Sequence, residues 1–256
     1  MFAVIRNIKK HKTAMLGMAV AAIIFGGTQN AISNESQQTF SDNAWDSELL
    51  EMISYGPRIL PADFDTGLNT PPENDSDDTR QELKFLVSLQ DQRTTDVLNK
   101  IHMEHVQPKS LDVYEAEGLF QSDVMAHTQR FFEETERDLA YFIIRDKKKF
   151  ARVRPSTLNA DIQTVVENPA HPAYPSGHAA QSYFVGYTLG QLDTAKMDAY
   201  TRLSHDIAHR REIAGLHYPS DSQAGFLLAK NVFNGLMQNP EAKALYEEAQ
   251  KEFKVN

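Results

Sequence analysis

The sequence contains no cysteine. That absence removes disulfide scaffolds, thiolate zinc sites, iron–sulfur clusters and cysteine nucleophiles together. A basic excess is missing too: 26 lysines and arginines stand against 35 acidic residues, a formal net charge of −9. Duplex binding rests on a basic footprint, so nucleic acid is not an expected partner. Past the first thirty residues no apolar run approaches the ~20 residues that cross a bilayer. Alternating strand patterns are almost absent, and there is no internal repeat or low-complexity tract. Neither a Gly-x-x-x-x-Gly-Lys-Ser/Thr phosphate loop nor a Gly-x-Ser-x-Gly elbow occurs. With 41% hydrophobic and 24% charged residues among 256, the rest of the composition is that of a globular chain.

The amino-terminal stretch differs in kind. Arg6, Lys9, Lys10 and Lys12 precede an apolar run from Ala14 to Gly27, and no acidic residue occurs before Glu35. The run is short for a membrane span and suits the core of a signal peptide, with small residues at Ala31 and Ser33 before a cut. Residues 1–33 are therefore expected to be a signal peptide, and the exported form to begin near Asn34. Cleavage would remove four basic and no acidic residues, moving the net charge from −9 to −13. The expected product is an acidic periplasmic or secreted protein with no stable membrane insertion. The sequence leaves its oligomeric state open, a homo-oligomer included.

Residues 34–78 read as a loop-rich segment. Pro57, Pro61, Pro71 and Pro72 interrupt it, and only the amphipathic piece Leu49-Leu50-Met52-Ile53 suggests packing on the body. Regular order is predicted from Thr79, where Thr79-Arg80-Gln81-Glu82 has the form of a capping box. A second helix start falls at Thr94-Thr95-Asp96. Apolar residues from Phe120 to Ile143 recur at helical spacing and predict long helices to about residue 149. A connecting loop over 151–175 precedes helices near 177–192, 194–213, 221–237 and 240–252. The expected fold is all-α, with one compact helical domain over 79–256.

Three short segments concentrate cations, histidines and turn residues. Lys147 to Pro155 is a basic run leaving a helix, which by itself reads as a solvated end balancing the helix dipole. Pro175-Ser176-Gly177-His178 opens a helix, where free backbone N–H groups, a hydroxyl and the positive dipole end favour an anion. In the third segment, Asp221 follows His217 by four residues, a spacing that lets the carboxylate accept the ring N–H and fix the tautomer. Arg211 stands six residues before His217.

Together the three segments resemble the signature of the phosphatidic-acid phosphatase type 2 superfamily. That signature is lysine, six residues, Arg-Pro; then Pro-Ser-Gly-His; then Ser-Arg, five residues, histidine, three residues, aspartate. A chain of this size with a leader looks most like the bacterial class A non-specific acid phosphatases, from Thr79 to about Leu236. The resemblance implies a phosphomonoester hydrolase without metal or other cofactor, acting on small phosphorylated substrates. It implies His217 as the nucleophile oriented by Asp221, and His178 as the acid for the leaving oxygen. Lys147, Arg154, Ser176, Gly177 and Arg211 would bind the substrate phosphate. Vanadate would inhibit as a transition-state mimic. Two departures stand out: the usual cysteines are missing, and Arg210 replaces the signature's serine. Arg210 either pairs with a carboxylate or adds affinity for a more highly charged substrate.

Other readings fit less well. His205-Asp206-Ile207-Ala208-His209 has the histidine spacing of a zinc-protease helix, but Asp206 replaces the glutamate base and Gly215 stands where the third ligand belongs. A catalytically silent phosphate-binding protein is the competitor from another class. Lipid-phosphate phosphatases of this superfamily typically span the membrane repeatedly, and related haloperoxidases are typically much larger.

Overall fold

Helix starts follow local capping chemistry. Ser76 accepts the backbone N–H of Thr79, Asp46 that of Glu48, and Asn239 those of Glu241 and Ala242. The computed structural model describes residues 38–106 and 110–253. The leader, with its predicted cleavage site, lies outside them. In chain order the helices are α1 (Ser47–Ser54), α2 (Asp77–Leu89), α3 (Thr95–Val106), α4 (Ser110–Ala116), α5 (Ala126–Phe150), the single turn α6 (Pro155–Leu158), α7 (Gly177–Leu192), α8 (Met197–Ile213), α9 (Pro219–Gln238) and α10 (Pro240–Glu252). Among the described residues there is no strand, only an isolated bridge between Thr39 and Arg152. The all-α expectation holds.

Two details differ from the sequence reading. The cap of α2 is Ser76, not Thr79, whose buried hydroxyl donates to the Glu73 carbonyl at 2.8 Å. Glu82 is thereby freed from a capping box and bonds elsewhere. The helical order predicted from Phe120 begins only at Ala126: Phe120 and Val124 lie in the turn between α4 and α5, Phe120 buried in the core and Val124 exposed.

α7 is apolar almost all round, which fits a helix buried on every side. Its Ala179, Ala180, Phe184, Val185 and Leu189 are buried, with α8 and α9 packed along the helix and Phe184 against Phe131 and Phe132 of α5, while α5 packs along α10. A smaller cluster joins α2 and α3 to Ile162, Ile213 and Tyr218 beneath the loops of 151–175. Gly225 of α9 has a packing reason. A Cβ there would meet the Ser176 carbonyl at 2.8 Å and the Ala180 nitrogen at 2.9 Å, so glycine lets α9 touch the first turn of α7.

Buried carboxylates of α5 tie the loop-rich segment down. Asp138 accepts the backbone N–H groups of Arg58, Ile59 and Leu60 at 3.0, 2.9 and 2.7 Å. Asp146 accepts the Thr66 hydroxyl at 2.5 Å. A buried carboxylate with several donors is stable where an isolated one is not. These bonds hold α1 beside α5.

Candidate active site

The loop after α5 runs extended through Arg152 and Arg154, and extended backbone puts residues two apart on one side. Both guanidinium groups point inward and are buried. Arg152 donates to Asp221 Oδ1 at 2.7 Å, to Ser220 Oγ at 2.8 Å and to Glu82 Oε2 at 3.0 Å, and lies 3.7 Å over the Tyr218 ring. Arg154 donates through Nη1 to the Leu216 carbonyl at 2.8 Å and to His217 Nε2 at 3.0 Å. Its Nη2 reaches Nδ1 and the carbonyl of His171, both at 3.1 Å.

These contacts fix the His217 tautomer. A guanidinium has no lone pair to offer, so Nε2 of His217 is the acceptor and carries no proton. Nδ1–H then donates to Asp221 Oδ2 at 3.2 Å. That oxygen also accepts the Tyr218 backbone N–H at 3.0 Å, and both carboxylate oxygens are satisfied. The arrangement is a neutral imidazole with its reactive lone pair turned toward Arg154.

Ser176 caps α7. Its hydroxyl accepts the Ala179 N–H at 3.4 Å, and its own N–H donates to the Asp221 carbonyl at 3.0 Å. His178 follows in the first turn, its ring donating to the Glu104 carbonyl. Lys147, expected among the phosphate-binding residues, is already engaged by the protein in this structure. Its ammonium donates to the carbonyls of Pro172, Ala173 and Pro175 at 2.8, 3.0 and 2.6 Å, which uses all three protons. Lys147 braces the 172–175 turn, and burial, then the Arg154 guanidinium, lower its pKa well below the usual lysine value.

Arg211 is the opposite case. It is fully buried, and none of its three guanidinium nitrogens has a hydrogen-bond partner among the described residues. Arg154 Nε is unpartnered as well. Burial lowers the Arg211 pKa to about 10, still far above neutrality, so the group is charged. Arg210 has a partner: Nε and Nη2 bind Glu104 Oε1 at 2.7 and 2.6 Å. Of the two roles open to Arg210, the structure gives it the carboxylate pair.

Burial sets the histidine protonation. His217 is pushed well below its usual pKa by desolvation, then by Arg154, Lys147 and Arg211. His178 is pushed down by desolvation, then by Arg211 and His217. His171 is lowered by desolvation, then by Lys147 and Arg154.

A cavity of about 400 Å³ opens on this cluster. Lys147, His171, Gly177, His178 and His217 line it on one side, and Leu49, Met52, Ile143 and Ile144 wall the other. The amphipathic piece of the loop-rich segment is thus a wall of the site. The sequence reading missed Arg152, Glu82 and His171. Arg152 could have been found from its two-residue offset to Arg154 in a proline-bounded extended stretch, whereas nothing in the chain links Glu82 to Ser220. Among the described residues no cluster of three or more histidines and carboxylates could hold a metal. His205 bonds the Tyr183 hydroxyl at 2.7 Å, and His209 bonds Glu212 at 2.9 Å.

A non-specific acid phosphatase of Providencia stuartii is 27% identical to this chain over 113 residues, 42% of this chain and 45% of that protein. The resemblance to the non-specific acid phosphatases is borne out. The match spans less than half the length of that relative. No family model matches the chain. Among solved structures, a bacterial vanadium-dependent iodoperoxidase aligns with a TM-score of 0.40 and 17% identity, over 73% of this chain and 53% of that one.

Proposed function

We propose that this acid-phosphatase relative is an exported, metal-independent phosphomonoester hydrolase that works through a phosphohistidine on His217. The observation that carries the reading is Arg211, a charged, fully buried guanidinium with no acceptor among the described residues. Such a group is costly unless an anion meets it, and a phosphoryl group offers paired oxygens in matching geometry. Arg154 Nε adds a second unused donor.

The chemistry follows from the contacts. A substrate oxygen takes over the Arg154 Nη1–H that His217 Nε2 now accepts, which releases the lone pair. Nε2 attacks phosphorus and the phosphorus–oxygen ester bond breaks. The departing oxygen takes a proton from His178. Water then attacks the phosphorus and gives a proton to His178, and the phosphorus–nitrogen bond breaks to free phosphate and His217. Asp221, held by Arg152, stabilises the charge that develops on the His217 ring. Arg154 and Arg211 stabilise the equatorial oxygens, with Lys147 adding to the field. Leu49, Met52, Ile143 and Ile144 suit an apolar organic group on the ester.

Incubation with p-nitrophenyl phosphate in buffer containing EDTA is expected to release nitrophenol. Rapid quenching with labelled substrate is expected to trap an acid-labile, alkali-stable phosphoprotein. Turnover that needs an added metal, or no such adduct, would contradict the mechanism.

The pH dependence has a defined sign. His217 must be unprotonated, and its pKa lies well below 6.5, so the nucleophile stays competent into the acid range. His178 must be protonated to act as acid, and its pKa is lowered too, so its competent fraction grows as pH falls below 6.5. For an alkyl phosphate, kcat/KM, which reports the free enzyme, is therefore expected to peak below pH 6.5. A maximum at pH 7.5 or above would refute this assignment of the two histidines.

A further inference from the structure

Two buried groups sit close enough to feel each other and yet are not bonded. Among the described residues Arg211 has no hydrogen-bond partner on any guanidinium nitrogen, and Glu104 Oε2 has none either. Each lies in the other's electrostatic field. A buried carboxylate and a buried guanidinium normally close into a bidentate pair, because each otherwise bears its desolvation cost alone. The neighbouring residue engages the other carboxylate oxygen. Arg210 holds Glu104 Oε1 through both Nε and Nη2, at 2.7 and 2.6 Å, and keeps the carboxylate at the C-terminal turn of α3.

We infer that Arg210 is a positioning residue that sequesters Glu104, so that Arg211 stays available to the substrate phosphate. The inference rests on the phosphatase reading of Arg211. It gives the replaced serine of the signature a specific consequence in this chain. Glu104 is a competitor for the phosphate-binding arginine, and Arg210 is the group that neutralises the competitor. Removing Arg210 alone should release Glu104 toward Arg211, and the internal salt bridge should then oppose phosphate. Removing Glu104 as well should cancel the effect, because no carboxylate is left to compete. This non-additivity is what two residues acting on one group must show.

The test uses the full-length protein carrying Arg210→Ser, Glu104→Gln or both. Inorganic phosphate affinity is measured by calorimetry, KM on p-nitrophenyl phosphate and Tm alongside it. Losing a charge-assisted contact weakens binding by about tenfold or more, so Arg210→Ser is expected to raise both the phosphate Kd and KM by that factor. The double variant is expected to return to within about threefold of the wild type. Glu104→Gln alone is expected to bind phosphate at least as tightly as the wild type, since it removes a negative charge near the anion. A purely structural role for Arg210 would lower Tm while leaving Kd and KM of the folded protein unmoved, and that result overturns the inference. A double variant as weak as Arg210→Ser does the same. Should Arg210→Ser not fold, Glu104→Gln decides: weaker phosphate binding there would make Glu104 a helper rather than a competitor. If the wild type binds phosphate but does not turn over the aryl ester, the hydrolase reading fails and the calorimetric cycle still tests the role of Arg210.

Discussion

His217→Ala is expected to lower kcat/KM on every phosphomonoester together, by about 10⁴-fold or more, because the nucleophile is removed whatever the leaving group. His178→Ala is expected to behave differently. Its loss removes the proton donor, and general acid catalysis contributes about 10²–10⁴-fold only where the departing oxygen needs a proton. An alkoxide needs one and a nitrophenolate hardly does. His178→Ala should therefore lose far more rate on an alkyl phosphate than on p-nitrophenyl phosphate. In the proposed mechanism water activation in the second step also uses His178, so the comparison belongs in single-turnover measurements of the phosphorylating step. Equal losses on both substrates would remove His178 from the acid role. A leaving-group-dependent loss in His217→Ala would mean that the two histidines exchange parts.

Replacing Arg211 should separate activity from stability. Arg211→Met keeps most of the volume and removes a buried charge that no acceptor among the described residues meets. Losing a preorganised donor to the transition state costs about 10²–10³-fold in kcat, and Arg211 offers more than one N–H, so the upper end is expected. Stability should move the other way. An apolar residue in place of a buried ion without hydrogen-bond partners gains about 1–3 kcal/mol, or about 2–10 °C in Tm for a chain of this size. The gain should appear in phosphate-free buffer. Added phosphate should raise the Tm of the wild type and leave Arg211→Met in place, because only a protein that binds the ligand is stabilised by it. A drop in Tm for Arg211→Met in phosphate-free buffer would mean that the group is held by the protein itself.

Much of the fold was legible along the chain, for a local reason. The starts of α3, α7 and α10 carry their own capping groups in Thr94, Ser176 and Asn239, and the apolar spacing of α5, α8 and α9 needs no distant partner to be recognised. The candidate site residues were legible because a phosphoryl-binding signature is a matter of residue type and short spacing, and these survive in one dimension. Their individual duties were another matter. Lys147, Arg154, Arg210 and Arg211 are all simply cations in the sequence, and only the fold decides which are already engaged. Lys147 is used by three carbonyls and Arg210 by Glu104, an acceptor 106 residues away in the chain. Arg154 is shared between His217 and His171, and Arg211 has no hydrogen-bond partner among the described residues. Glu82 reaches Ser220 across 138 residues, and Asp138 reaches Ile59 across 79. Side-chain type and helical period are properties of neighbours in the chain, so they can be read there. Which donors remain unspent depends on carbonyls and carboxylates brought in from far along it, and packing alone supplies those.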